Sequence, residues 1–146
     1  MPRSPTFLDS NVFLYAAGSE HPLRAPCRRA IEEVAAGDLA AVTSSEVVQE
    51  ILHVLSRRHL TREAVRLARS AAEVVAGVLP VRREEVALAC ELIERHSEIS
   101  VRDAIHVATM QLNGISEIMT ADRHFSAIEG VRRIDPALRD GLTAPG

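Results

Sequence analysis

Apolar residues along the chain follow two rhythms, short unbroken runs and longer stretches with a three- to four-residue period. The run Thr6-Phe7-Leu8, closed by Asp9, predicts a buried strand, because an apolar run too short for a helix suits a sheet covered on both faces. A helix is then expected to begin over Val12 to Ala17, and a second over Pro22 to Ala36, stopped by Gly37. Leu39 to Val42 predicts the next strand. The hydroxyls of Thr43-Ser44-Ser45 offer caps for a helix running to about Arg58, and Thr61 is the expected cap of the following one. Val78 to Val81 is short and extended, and Arg83 to Arg95 is amphipathic. Ser100-Val101-Arg102-Asp103 has the form of a capping box that opens a helix ending near Gly114. Glu117-Ile118-Met119 predicts a strand, Arg123 to Ile128 a brief helix, and Val131 to Ile134 a last strand. Short strands alternating with helices imply an α/β fold in three layers: a short, mostly parallel sheet of four or five strands flanked by helices.

A length of 146 residues is close to that of one domain, so a single unit over 1–146 is expected, with its core over 6–135 and a flexible tail from about 141. With 47% hydrophobic and 25% charged residues, the composition is that of a folded globular protein and not of a disordered or fibrous one. Phe7, Phe13, Phe125 and Tyr15 are its only Phe, Tyr or Trp residues, which argues against a base-stacking platform. The net charge of -3 requires any contact with nucleic acid to be local or metal-mediated. Cys27 and Cys90 lie in helical stretches, with no nearby cysteine and no histidine at zinc-finger spacing, and are read as reduced core residues. Met1-Pro2-Arg3-Ser4-Pro5 leads into only a few apolar residues, so no signal peptide or membrane span is expected, and the expected location is cytoplasmic.

Candidate chemistry collects at the strand ends. Ligands of open parallel α/β sheets bind beyond the carboxyl ends of the strands, where Asp9 follows one strand directly and Asp122 another by a few residues. In the helix after Ser45, residues Val47, Ile51, Val54 and Leu55 form an apolar stripe with Glu50 at its border. A carboxylate there needs partners, whereas Glu46 projects toward the polar side, so Glu50 is the better candidate. Asp103 sits in the first turn of its helix, with Ala104, Val107 and Ala108 small enough to let that turn press on the sheet. Singly, each Asp has an ordinary explanation as a turn, capping-box or N-cap residue, because acids favour helix starts. Jointly, four acids from separate elements at one sheet edge point to a metal site.

Asp9-Ser10-Asn11 after a strand, Glu50-Ile51 in a helix, Asp103-Ala104 with Ala108, and Thr120-Ala121-Asp122 with Phe125 resemble, in order and spacing, the motifs of PIN domains. The resemblance extends from about Thr6 to Ile134, and the length is similar to that of the VapC toxins of prokaryotic toxin-antitoxin pairs. Ser10 stands where such proteins often carry threonine. The resemblance implies a PIN-like fold and a Mg²⁺-dependent endoribonuclease, with Mn²⁺ able to substitute, that leaves a 5′ phosphate. Its catalytic and metal-binding acids would be Asp9, Glu50, Asp103 and Asp122, with Asn11 and Thr120 as polar supports. Asp9 and Asp103 are expected to be the most direct ligands, and any of the four acids can position the water. RNA as substrate, a VapB-type antitoxin whose basic tail enters the acidic crevice, and a homodimer are likewise implied. The chemistry is coherent on its own terms: Mg²⁺ takes oxygen ligands, and a cation orients water and offsets charge on phosphate and leaving group.

The histidines show no metal-ligand spacing on one helix; His106, one turn beyond Asp103, is at most a support behind the ligands. Arg58, Arg62, Arg66 and Arg69 recur at helical spacing. The outer members suit a solvated face, while Arg57 and Arg58 are candidates for RNA-backbone contact. A response-regulator receiver would need a late lysine that this chain lacks, and a haloacid-dehalogenase phosphatase would need Asp where Asn11 stands. A catalytically silent module whose acidic pocket receives an arginine-bearing partner remains as the alternative.

Overall fold

The computed structural model describes residues 3–143. At its centre is a five-stranded sheet in which every pairing is parallel. The strands are β1 (Thr6–Leu8), β2 (Ala41–Ser44), β3 (Val78–Leu79), β4 (Glu117–Met119) and β5 (Arg132–Ile134), in the order β3-β2-β1-β4-β5. Phe7 is in register with Val42 on one side and Ile118 on the other, so β1 is the middle strand. Winding runs outward from β1 through β2 to β3, then returns to β4 and β5. Between β1 and β4 the direction reverses, and there a parallel sheet opens a crevice at its carboxyl edge.

Seven helices flank the sheet among the described residues: α1 (Ser10–Ala17), α2 (Arg24–Ala36), α3 (Ser45–Arg57), α4 (Thr61–Val74), α5 (Arg83–Arg95), α6 (Val101–Leu112) and α7 (Pro136–Thr143). Helices α1 to α4 pack on one another and α5 packs on α6, the two groups that right-handed crossovers place on opposite faces when winding reverses. Phe7, Leu8, Val12, Ile51, Val107, Met110, Ile118, Met119 and Phe125 are fully buried. Each such aliphatic or aromatic side chain contributes about 1.5–3 kcal/mol through burial. None of these helices is long and apolar enough to cross a membrane.

The expected boundaries hold for β1, α5 and β4 and shift elsewhere for identifiable reasons. Strand β2 lies two residues later than the apolar run Leu39 to Val42 suggests. Gly37 adopts φ +83, the N–H groups of Asp38 and Leu39 both close onto the Glu33 carbonyl, and Leu39 therefore belongs to the end of α2. Thr43 instead joins the strand, its N–H bonding to Gly77 O and its hydroxyl to Leu8 O. Thr61 is not a cap but the first residue of α4; Leu60 holds the cap position without a side-chain bond, after a tight turn with His59 at φ 62. The tail expected to be flexible from about 141 is helical through Thr143, as part of α7, while residues 144–146 fall outside the described residues. Helix α7 begins with Pro136, is supported by the Asp135 carboxylate accepting from Ala137 N–H at 2.9 Å, and packs on α2 with an Arg139–Glu33 ion pair.

Candidate metal centre

Chain geometry delivers Asp9 first. Where β1 ends, the residue turns to φ -76, ψ 160 and becomes the N-cap of α1, with Oδ1 accepting from Ser10 N–H at 2.7 Å. Its second oxygen accepts the Thr120 hydroxyl at 2.8 Å and the Asn11 amide at 3.4 Å. Thr120 Oγ1 in turn accepts from Asn11 Nδ2 at 2.9 Å and from the Asp122 N–H at 3.0 Å, and Asn11 Oδ1 accepts from Ala121 N–H. The loops after β1 and β4 are thereby stitched together. Asp122 caps the 3₁₀ turn Arg123–Ala127 through His124 N–H, and its carboxylate also meets His124 Nδ1 at 3.0 Å.

Helices supply the other two acids. Ser44 caps α3 by accepting from Val47 N–H, which fixes the helix phase and carries Glu50, only 5% exposed, inward; Glu46 stays partly exposed in the first turn. The Ser10 hydroxyl donates to Glu50 Oε2, and Arg102 Nε lies 3.0 Å from Oε1. Ser100 caps α6 by accepting from Asp103 N–H at 3.1 Å, and the fully buried Ala104 and Ala108 allow that helix to approach the sheet. His106, three residues beyond Asp103, is 1% exposed, with Nε2 3.6 Å from Asp9 Oδ1.

One open cavity of about 500 Å³ is lined by Asp9, Glu50, Asp103 and Asp122 together with Ser10, Asn11, Ser100, Arg102, His106 and His124. A larger cavity of about 640 Å³ is lined by Thr6, Ala40, Glu117 and Arg132 at the amino ends of the strands, where opposite charges mix. Among the described residues, Asp9, Glu50 and His106 form a potential ligand group, with one donor atom of each within 4.8 Å of the others. Asp103 borders the same cavity outside that group. Thr120 lies beneath Asp9, whereas Arg57 and Arg58 are exposed at the end of α3 and do not line the cavity.

Burial, more than anything else, pushes the Asp9 carboxyl above its usual range; Asp122's charge adds to this, while hydrogen bonds from Thr120 and Ser10 oppose it. Asp103 is also raised, first by burial and then by Asp122 and Asp9, with Ser100 and His106 opposing. Burial lowers the His106 pKa against the pull of Glu50 and Asp103. Crowded carboxylates whose charges oppose one another, beside a buried imidazole with neither nitrogen bonded, are a donor set that fits a divalent cation. Sequence pattern alone gives little weight to His106, Arg102 and Ser10. Their signal was proximity to the candidate acids along one helix face or turn, which becomes informative only when the facing element is known.

Residues 6–131 match the family model described as PIN domain. Ribonuclease VapC13 of Mycobacterium tuberculosis is 37% identical over 130 residues, 87% of this chain and 97% of the relative. Ribonuclease VapC7 of the same organism is 32% identical over 130 residues, covering 88% and 90%. Among solved structures, Mycobacterium tuberculosis VapC20, described as a sarcin-ricin loop cleaving toxin, superposes with a TM-score of 0.68 at 24% identity over 87% of this chain and 98% of that one. VapBC2 from Rickettsia felis, bound to promoter DNA, gives 0.71 at 14% identity over 90% and 98%. At such identities these likenesses show the fold.

Proposed function

The chain belongs to the PIN-domain family and, within it, to the VapC ribonucleases; from that premise we propose that it is a Mg²⁺-dependent endoribonuclease and the toxin of a toxin-antitoxin pair. Asp9, Glu50, Asp103 and Asp122 are its working acids. The observation that carries this reading is convergence: two strand ends and two helices bring these acids to one cavity at the sheet's reversal point. When bound, the cation supplies Lewis-acid polarisation of a phosphoryl oxygen and acidifies water.

The chain's own residues do the rest. Ser10 N–H, Thr120 and Asn11 fix the Asp9 carboxylate, and Ser10 Oγ with Arg102 fixes Glu50. Asp103, half-buried and raised above its ordinary range chiefly by that burial, is proposed to take the proton of an attacking water. Attack at phosphorus breaks the bond to the 3′ oxygen, leaving a 3′ hydroxyl and a 5′ phosphate. Arg57 and Arg58 are proposed to hold RNA backbone outside the cavity. Their joint replacement by alanine should weaken RNA binding across sequences and reduce the salt dependence by about one unit per lost phosphate contact.

A VapB-type antitoxin, supported by structural neighbours solved as toxin-antitoxin complexes, and a homodimer complete the proposal. Light scattering with and without a co-expressed neighbouring reading frame tests both. The alternative, a silent acidic pocket for an arginine-bearing partner, draws on Arg102 already placing a guanidinium on Glu50. Incubating wild type and Asp9→Asn with a labelled RNA pool in Mg²⁺, in Mn²⁺ and in EDTA decides between them. Metal-dependent cleavage by the wild type alone is expected; no cleavage at any cation concentration would leave the silent pocket.

A further inference from the structure

His106 is a buried titratable group that the catalytic reading leaves without a task. Among the described residues neither Nδ1 nor Nε2 has a hydrogen-bond partner, and the 3.6 Å from Nε2 to Asp9 Oδ1 exceeds hydrogen-bond length. Phe7 meets the ring in a tilted contact with centroids 5.6 Å apart, which satisfies neither nitrogen. On the same helix Thr109 directs its hydroxyl to the Ile105 carbonyl. Buried polar atoms without partners are rare in native proteins, and each needs a ligand, an ion or a water to explain it. This imidazole faces the acid cavity, with one of its nitrogens and an oxygen each from Asp9 and Glu50 lying within 4.8 Å of one another. Donors about 2.1 Å from a cation stand about 3 Å apart when adjacent and about 4.2 Å apart when opposite. Small side-chain rotations therefore bring all three into one coordination sphere.

We propose that His106 is a nitrogen ligand of the cation, so that Asp9, Glu50 and His106 form a mixed oxygen and nitrogen site selecting Mn²⁺ over Mg²⁺. The inference rests on the metal-dependent reading of the cavity and revises its ion: Mn²⁺ is held more tightly than the Mg²⁺ that also sustains cleavage. Mg²⁺ takes oxygen ligands and gives up its waters reluctantly, whereas imidazole favours first-row transition ions. The three-residue step from Asp103 puts His106 on the same face of α6, so one helix contributes both a carboxylate and the nitrogen.

The metal-free full-length protein, titrated by calorimetry with MnCl₂ and separately with MgCl₂, and the Mn²⁺-loaded protein, observed by electron spin echo envelope modulation, test this. A modulation from directly coordinated ¹⁴N is expected in the wild type, absent in His106→Gln and retained in His124→Gln, which alters the cavity's other histidine. His106→Gln should weaken Mn²⁺ binding about tenfold or more and Mg²⁺ binding by less than about threefold. Bound Mn²⁺ without coordinated nitrogen, a nitrogen signal surviving in His106→Gln, or equal weakening of both ions overturns the proposal and leaves the nuclease reading standing. Failure of both ions to bind overturns both readings. Should His106→Gln not fold, the wild-type spectrum together with loss of its nitrogen signal in His124→Gln overturns the assignment, and retention there supports it.

Discussion

A single carboxylate at Asp9 caps α1, ties β1 to the loop after β4 through Thr120, and faces three other acids. Without a cation this arrangement opposes folding: two unit charges about 4 Å apart repel by about 1 kcal/mol in water and about 4 kcal/mol at an effective dielectric near 20. Asp9→Asn and Asp103→Asn are thus expected to abolish cleavage while leaving the metal-free protein as stable as the wild type or more so. The pH dependence has a definite sign. Burial raises the Asp9 carboxyl above its ordinary value of 3.8 in the folded state, so its contribution to stability is fully present below about that pH and is lost as pH rises through the raised value. In EDTA, urea unfolding should show Asp9→Asn and wild type equal near pH 3.8, and the variant increasingly ahead toward neutrality. A gap independent of pH would contradict the origin assigned to it. Arg102 competes with any cation for Glu50. Arg102→Ala should accordingly tighten divalent-ion binding several-fold in calorimetry, while changing stability by no more than about 1 kcal/mol because the arginine is half exposed.

At the level of elements, caps decide where the acids point. Ser44 and Ser100 each accept a backbone N–H at the start of a helix that bears a candidate acid. Alanine at either should cost about 1 kcal/mol, read as a fall in melting temperature of roughly 2–4 °C; Ser100→Ala should also slow cleavage by loosening Asp103. The capping hydroxyls, the alternation of strand and helix, and the choice of Glu50 over Glu46 were legible from local pattern. The bounds of β2 were not, because whether Leu39 extends a strand or closes a helix depends on the Glu33 carbonyl receiving its N–H. Helix α7 was illegible too: it is only eight residues long, and its place beside α2 comes from packing and the Arg139–Glu33 pair.

For the molecule as a whole, a cation at the proposed site would tie together chain segments that lie far apart in sequence, and binding to the folded state alone adds stability by mass action. At a free ion concentration a hundred times the dissociation constant the gain is about 2.7 kcal/mol. Calorimetric melting should therefore show a cation-dependent rise in the wild type that Asp9→Asn largely lacks; equal rises in both would place the ion elsewhere. The five-stranded order with β1 central makes that convergence possible, since Asp9 and Asp122 follow adjacent parallel strands. Hydrophobic rhythm is a property of neighbours along the chain, and it was enough to set the fold class and most elements and to nominate four acids that line one cavity. The partners of those acids depended on which side chains face one another across packed elements. His106 reads as an ordinary helical histidine until α6 lies against β1, and Arg102 as a solvated charge until α3 brings Glu50 to it. Contacts between segments fifty or a hundred residues apart leave no periodic trace in a chain, which is why folding had to supply them.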